Sequence, residues 1–66
     1  MTENSKFTLK ALRVNKDLTQ EEAAEKLGIS KRSLQMYENG DRYPDIPTLK
    51  KIENLYGVEY RFIDFF

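Results

Sequence analysis

The segment from Thr19 to Gly40, Thr-Gln-Glu-Glu-Ala-Ala-Glu-Lys-Leu-Gly-Ile-Ser-Lys-Arg-Ser-Leu-Gln-Met-Tyr-Glu-Asn-Gly, leaves a short chain few ways to fold. Thr19 precedes a helical pattern and Glu22 follows three positions later, the spacing at which hydroxyl and carboxylate satisfy each other's backbone N–H groups. Ala23, Ala24 and Leu27 supply the buried face of that helix, and Gly28 ends it, since glycine takes a left-handed turn at little cost. Ile29 plugs the turn, Ser30 caps a further helix, and Leu34 with Tyr37 faces inward before Asn39-Gly40 closes it. Ala24 gives a crossing point without bulk, Gly28 a pivot and Leu34 an apolar anchor. The spacing predicts two short helices crossing steeply at a glycine corner.

The flanking sequence extends this helical pattern. Met1 to Asn4 are polar and predicted to fray. Phe7, Leu9, Ala11 and Leu12 offer an apolar stripe for a first helix that ends near Lys16-Asp17. Tyr43 precedes Pro44 and is biased away from helix, so residues 41–44 read as loop. Asp45 is a good N-cap, Pro47 is tolerable in a first turn, and Leu49, Ile52 and Leu55 recur at helical spacing up to Gly57. Val58 through Phe65 is read as a short fifth helix, and no strand pattern is evident. The expected architecture is all-α: one compact five-helix domain over residues 1–66, with the motif at about 20–39.

Composition narrows the function classes. With 66 residues there is room for one core but not for a core and a sizeable substrate cavity, which disfavours an enzyme. No Cys and no His are present, so disulfides, thiolate or imidazole metal ligation and histidine acid–base chemistry are excluded and no metal or cofactor is expected. No stretch resembles a signal peptide or a bilayer-spanning run, and a soluble, cytoplasmic protein is expected. Eleven basic and eleven acidic residues cancel, with a pI near 6.2. Their distribution is uneven: Lys6, Lys10, Arg13 and Lys16 form a stretch without acids, Lys31, Arg32 and Arg42 cluster around the second helix of the motif, and Glu21, Glu22 and Glu25 gather on the first. A local basic face can attract phosphate although the whole chain is neutral.

Two helices joined in this way form a helix-turn-helix, which can place its second helix in the major groove of double-stranded DNA. Such corners also occur in proteins that never touch DNA. The wider sequence adds Leu-x-x-Leu-Arg at 9–13, Leu-Thr-Gln-Glu-Glu-x-Ala at 18–24, Leu-Gly-Ile-Ser at 27–30, Tyr-Glu-Asn-Gly at 37–40, Pro44, Thr48-Leu49 and Leu-Tyr-Gly-Val at 55–58. With these elements the run from 9 to 58 resembles the Xre family, the helix-turn-helix class that includes Cro and the lambdoid phage repressors. The resemblance needs no insertion and implies a lambda-repressor-like DNA-binding fold. Ala23, where the family usually has a larger aliphatic residue, Pro47 and the richly aromatic tail depart from the pattern.

The resemblance implies roles residue by residue. Gln20 matches the glutamine that grips a phosphate at a helix N-terminus, against the alternative of a solvated first-turn residue. Lys31 and Arg32 fall where family members meet base edges. Two cations at a helix start, where the dipole prefers acids, also suggest an anionic partner. Gln35 either reads adenine or hydrates a flank, and Met36 either meets a thymine methyl or fills the core. Ser30, Asn39 and Arg42 match phosphate contacts, with helix capping as the alternative or additional role of Ser30 and Asn39. Arg13 and Glu38 match an arginine and a glutamate that bridge helix one to helix three.

The tail residues Tyr60, Phe62, Ile63, Phe65 and Phe66 exceed what a short helix can bury. Ile63 or Phe62 is expected to reach the core. Tyr60, Phe62, Phe65 and Phe66 are candidates for a dimer contact within 58–66, truncation of a longer protein being the alternative. The expected function is that of a DNA-binding transcriptional regulator, a repressor acting as a homodimer, at least on DNA, at a near-palindromic operator. The competing expectation is an antitoxin-type module that masks a protein partner.

Overall fold

The computed structural model describes residues 6–65. Its elements run β1 (Phe7–Thr8), α1 (Leu9–Asn15), α2 (Gln20–Leu27), α3 (Lys31–Asn39), α4 (Ile46–Tyr56), a 3-10 turn (Tyr60–Phe62) and β2 (Ile63–Asp64). Every helix starts at a side-chain cap. Thr8 accepts from the Ala11 amide, Ser30 from Ser33 and Asp45 from Thr48, while Thr19 and Glu22 form the full reciprocal box. The Asp45 carboxyl is held below its ordinary range by the Thr48 hydroxyl and amide, so this cap acts above that range and is lost as acid protonates it.

At the corner between α2 and α3, Gly28 has φ 70°, and the Ile29 amide reaches back to the Ala24 carbonyl at 3.0 Å. α1 ends without a glycine: Asp17 itself takes φ 58°, which an aspartate tolerates better than most residues. The core joins Leu9 and Leu12 of α1, Ala23, Ala24 and Leu27 of α2, Leu34 and Tyr37 of α3, and Ile52 and Tyr56 of α4. Ala23 and Ala24 are both buried, so α2 approaches its neighbours with little side-chain bulk between them. Pro47 lies in the first turn of α4, where a missing N–H costs nothing.

The tail overturns the expected fifth helix. After the 3-10 turn, whose Tyr60 amide donates to the Glu53 carboxylate at 2.8 Å, the chain extends and pairs in parallel with β1, Phe7 opposite Ile63 and Thr8 opposite Asp64. The described residues therefore form four α-helices and a two-residue ladder. Burial alternates here, with Ile63 and Phe65 inward and Asp64 outward, which is the period of a strand. Val, Tyr, Phe and Ile favour that conformation when a partner strand is available. Phe7, expected on the stripe of α1, is that partner strand's first residue and is exposed, as is Ala11. Phe65, expected in a dimer contact, is buried and tilts against Tyr43 with ring centres 5.0 Å apart. Phe62, an expected core residue, is partly exposed, and Phe66 lies outside the described residues.

A methyl group added at Gly28 would meet only the Lys51 ammonium at 3.5 Å, an ordinary contact, so strain at this position is purely backbone. Gly28→Ala should cost about 1–2 kcal/mol in a denaturant titration. Ala24→Leu, which forces methylenes into the crossing, should cost about 1–3 kcal/mol. An unchanged midpoint in either variant would contradict the corner described here.

Candidate nucleic-acid interface

α3 separates its side chains into two faces. Leu34 and Tyr37 are buried, while Lys31, Arg32, Gln35, Met36 and Asn39 recur on the opposite side of the helix. Lys31 and Arg32 are exposed, and Gln35 and Met36 are half-buried. Lys31 makes an ion pair with the Glu21 carboxylate at 3.8 Å, and both side chains stand largely in solvent. A pair so exposed holds the lysine only weakly. Arg32 makes no ion pair among the described residues.

Around this face stand the other candidates. The Ser30 hydroxyl is occupied as a cap, accepting from the Ser33 amide and donating to the Ser33 hydroxyl, each at 3.0 Å. Asn39 is the last residue of α3 and is exposed, and Gly40 rather than Asn39 takes the left-handed cap, at φ 79°. Arg42 is exposed beyond the helix exit, where its amide donates to the Met36 carbonyl at 3.3 Å.

Gln20 opens α2, but its side chain is drawn inward. Its amide N–H donates to Glu38 Oε1 at 3.1 Å, and its carbonyl oxygen accepts from Gln35 Nε2 at 3.2 Å. Glu38 in turn receives Arg13 through Nε at 2.8 Å and through Nη2 on the same guanidinium edge at 3.3 Å, while Arg13 Nη1 donates to the Leu18 carbonyl at 3.0 Å. The Glu38 side chain is only 3% exposed and that of Arg13 10%. Arg13, Glu38, Gln20 and Gln35 thus form one chain of hydrogen bonds from α1 through α3 to α2 and back to the outward face of α3. Sequence reasoning paired Arg13 with Glu38 but missed the extension through Gln20, because nothing in a linear spacing of fifteen or eighteen residues marks an amide as a hydrogen-bond partner.

Tyr56 was also missed. Its hydroxyl is buried with no hydrogen-bond partner among the described residues, beside the charges of Glu38 and Arg13. Burial, reinforced by Glu38 and opposed by Arg13, pushes the phenol from 10.0 up to about 12. Among the described residues no cluster of His, Cys, Asp or Glu could hold a metal, and no helix is long and apolar enough to cross a membrane.

A corner of this geometry, with a cationic outward face on its second helix, defines a helix-turn-helix domain. The helix-turn-helix family model matches residues 9–63, and the chain belongs to this family, in its Xre class. Over 50 residues it is 40% identical to the cryptic phage CTXphi transcriptional repressor RstR of Vibrio cholerae, covering 76% of this chain and 45% of that protein. It is 50% identical over 50 residues to the HTH-type transcriptional regulator ImmR of Bacillus subtilis (strain 168), covering 76% and 39%. It is 40% identical over 50 residues to the HTH-type transcriptional activator BcrR of Enterococcus faecalis, covering 76% and 24%. The chain spans less than half the length of these curated relatives. No solved structure matches it at a significant level.

Removing the Tyr56 hydroxyl loses no hydrogen bond, so Tyr56→Phe should leave stability unchanged or raise it by about 1 kcal/mol. The folded phenol keeps its proton up to about 12 while the unfolded one loses it near 10.0, so wild-type stability falls as pH climbs from 10 toward 12. Alkaline titrations of unfolding should therefore fall less steeply over this window in Tyr56→Phe than in wild type. A destabilised variant would mean that the hydroxyl does find a partner.

Proposed function

We propose that the chain is the DNA-binding part of a cytoplasmic transcriptional regulator, which occupies a near-palindromic operator as a two-fold dimer and represses by blocking the promoter. One observation carries this reading: Lys31, Arg32, Gln35 and Met36 share the outward face of a helix whose other face is anchored in the core. Such a helix can enter a major groove without unfolding anything behind it. Lys31 and Arg32 are assigned to base edges, and the exposed Arg42, Asn39 and helix start at Ser30 to phosphates. Gln20 is assigned a phosphate contact through its backbone amide and the N–H that Glu38 leaves unused. Repression is supported by the repressor among the relatives, and because an activator stands there too, a promoter-reporter measurement decides the sign.

The dimer contact is assigned to Tyr60 and Phe62, which stay exposed in the monomer. Beside Tyr60 lies a groove of about 300 Å³ lined with Tyr43, Ile46, Leu49, Lys50 and Glu53. Two subunits held on half-sites about 34 Å apart would reinforce a weak contact of this kind.

Selection of bound duplexes from a random library tests the reading, and an enriched palindrome is the expected result. On the selected site, Lys31→Ala and Arg32→Ala should each cost about 1–3 kcal/mol and relax preference at one position. Arg42→Ala should instead weaken cognate and mutated sites by similar factors and lower the salt slope by about one unit. Wild-type affinity and selectivity in both recognition-helix variants would place the interface elsewhere.

Replacing Tyr60 and Phe62 together with Ser should abolish cooperative occupancy of the palindrome while half-site binding and the thermal melt hardly change. Equal cooperativity in wild type and variant would remove these rings from the contact.

A further inference from the structure

The acid-free stretch along α1 is left unused by the DNA reading. Arg13 is committed to Glu38, but Lys10 and Lys16 are exposed and make no ion pair among the described residues. Around them the outward side of α1 is apolar where a solvated helix face is ordinarily polar. Ala11 is exposed, Val14 is 54% exposed, and Phe7, four positions before Ala11, is 52% exposed. A shallow trough runs beside this strip, between α1 and the C-terminal end of α4. Its first stretch, about 370 Å³, is lined by Phe7, Ala11, Leu12, Asn15, Tyr56 and Val58. Asn15 is shared with a second stretch of about 450 Å³, bordered by Lys16, Asp17, Leu18, Lys26 and Leu55.

We propose that this trough docks a short acidic amphipathic helix of a partner protein, with apolar side chains on its floor and carboxylates toward Lys10, Lys16 and Lys26. The half-buried Leu18, Leu55 and Val58, at the edge of the core, supply the floor. Lys26, like Lys10 and Lys16, is exposed and without an ion pair among the described residues, and Asp17 is the one acid among them that lines the trough. Glu59 follows Val58, but its carboxylate is taken by Arg61 Nε at 2.8 Å. The local charge is therefore positive, which favours an anionic partner. Seven residues make α1 about 10 Å long, the rise of about two turns of a partner helix, and such helices anchor through apolar residues three and four apart. A nucleic-acid backbone would meet the lysines but leave Phe7, Leu55 and Val58 uncovered. A second copy could bring Glu21, Glu22 and Glu25 of α2, yet Ala23, Ala24 and Leu27 of that helix are buried, so it has no apolar anchors to add. No residue assigned to DNA or to the two-fold contact lines the trough, so this inference does not rest on that reading.

The test is a titration of the isotope-labelled full chain, followed by amide chemical shifts, with synthetic peptides of about 14 residues, or four turns. One peptide carries Leu at spacings of three and four with Glu between, a second replaces Glu by Lys, and a third replaces Leu by Ser. A duplex of random sequence is the fourth probe. The Leu-Glu peptide should move the amides of Ala11, Asn15, Lys16, Leu55 and Val58 and bind about tenfold or more tightly than either control peptide. Lys16→Glu combined with Lys26→Glu should weaken it by about tenfold. Ala11→Glu, which keeps a good helix former but puts bulk and a carboxylate into the trough, should weaken it by about tenfold as well. Circular dichroism establishes beforehand that each variant folds.

No shift at these amides, or equal binding of the Lys peptide, overturns the proposal. Equal binding of the Ser peptide does so too, since the apolar floor would then contribute nothing. If the duplex moves the same amides, the lysines are phosphate contacts instead. Concentration-dependent shifts there without any peptide would give the trough to a second copy. Undiminished affinity in the folded variants places the peptide elsewhere. Should one variant fail to fold, the other and the control peptides still decide.

Discussion

The interaction on which the rest of the domain depends is the contact between Arg13 and Glu38. One guanidinium holds the carboxylate on α3 and, with its third donor, the Leu18 carbonyl at the entry to α2. Apolar contacts between short helices tolerate some sliding, because one methyl packs much like another. A buried ion pair does not, since a displaced partner leaves a charge without solvent or counter-charge, at a cost of about 3–5 kcal/mol. Its net contribution to stability is small for the same reason, as desolvation offsets most of the attraction. What it supplies is register: α1 and α3 have one relative position in which both charges are satisfied.

That register matters because the apolar core is small and lightly built. Leu9, Leu27, Leu34 and Ile52 are the largest side chains fully enclosed, and alanines occupy the inner face of α2. With so little volume to interlock, shape complementarity alone specifies the helix positions poorly, and directional contacts carry more of the burden. The helix caps, the ion pair and the hydrogen bonds of the Gln20 and Gln35 amides are all of this kind. The Tyr56 hydroxyl is the exception, a polar group enclosed by the same packing without a hydrogen bond among the described residues.

The parts of the fold that were legible in the sequence are those governed by neighbours along the chain. Thr19, Glu22, Ser30 and Asp45 mark helix starts, and Gly28, Gly40 and Gly57 mark helix ends, because capping involves residues only three to five positions apart. The tail was misread because its conformation is decided by a partner strand at the far end of the chain, which leaves no local trace. Five aromatic or β-branched residues with two polar ones between them fit a short helix and a turn-plus-strand about equally well until Phe7 is known to lie alongside. The outward face of α3 was legible from its period. The hydrogen bonds behind it were not, since they depend on which way two amides point, and sequence carries no information about that except through the carboxylate that orders them.

The ladder between positions 7 and 63 also sets an order of events during synthesis. α2, its corner and α3 rely on contacts close in sequence, so they can form while the C-terminal residues are still unmade. Ile63 and Phe65 are core residues whose places next to β1 and Tyr43 stay open until residues 63–65 have been made. A nascent chain stopped after α4 would hold α3 in outline but expose the apolar surface that Ile63 and Phe65 cover, ready to be bound by whatever apolar segment is nearest. Residues 63–65 are thus the fastener of this domain, which passes through a sticky stage that ends only when they arrive.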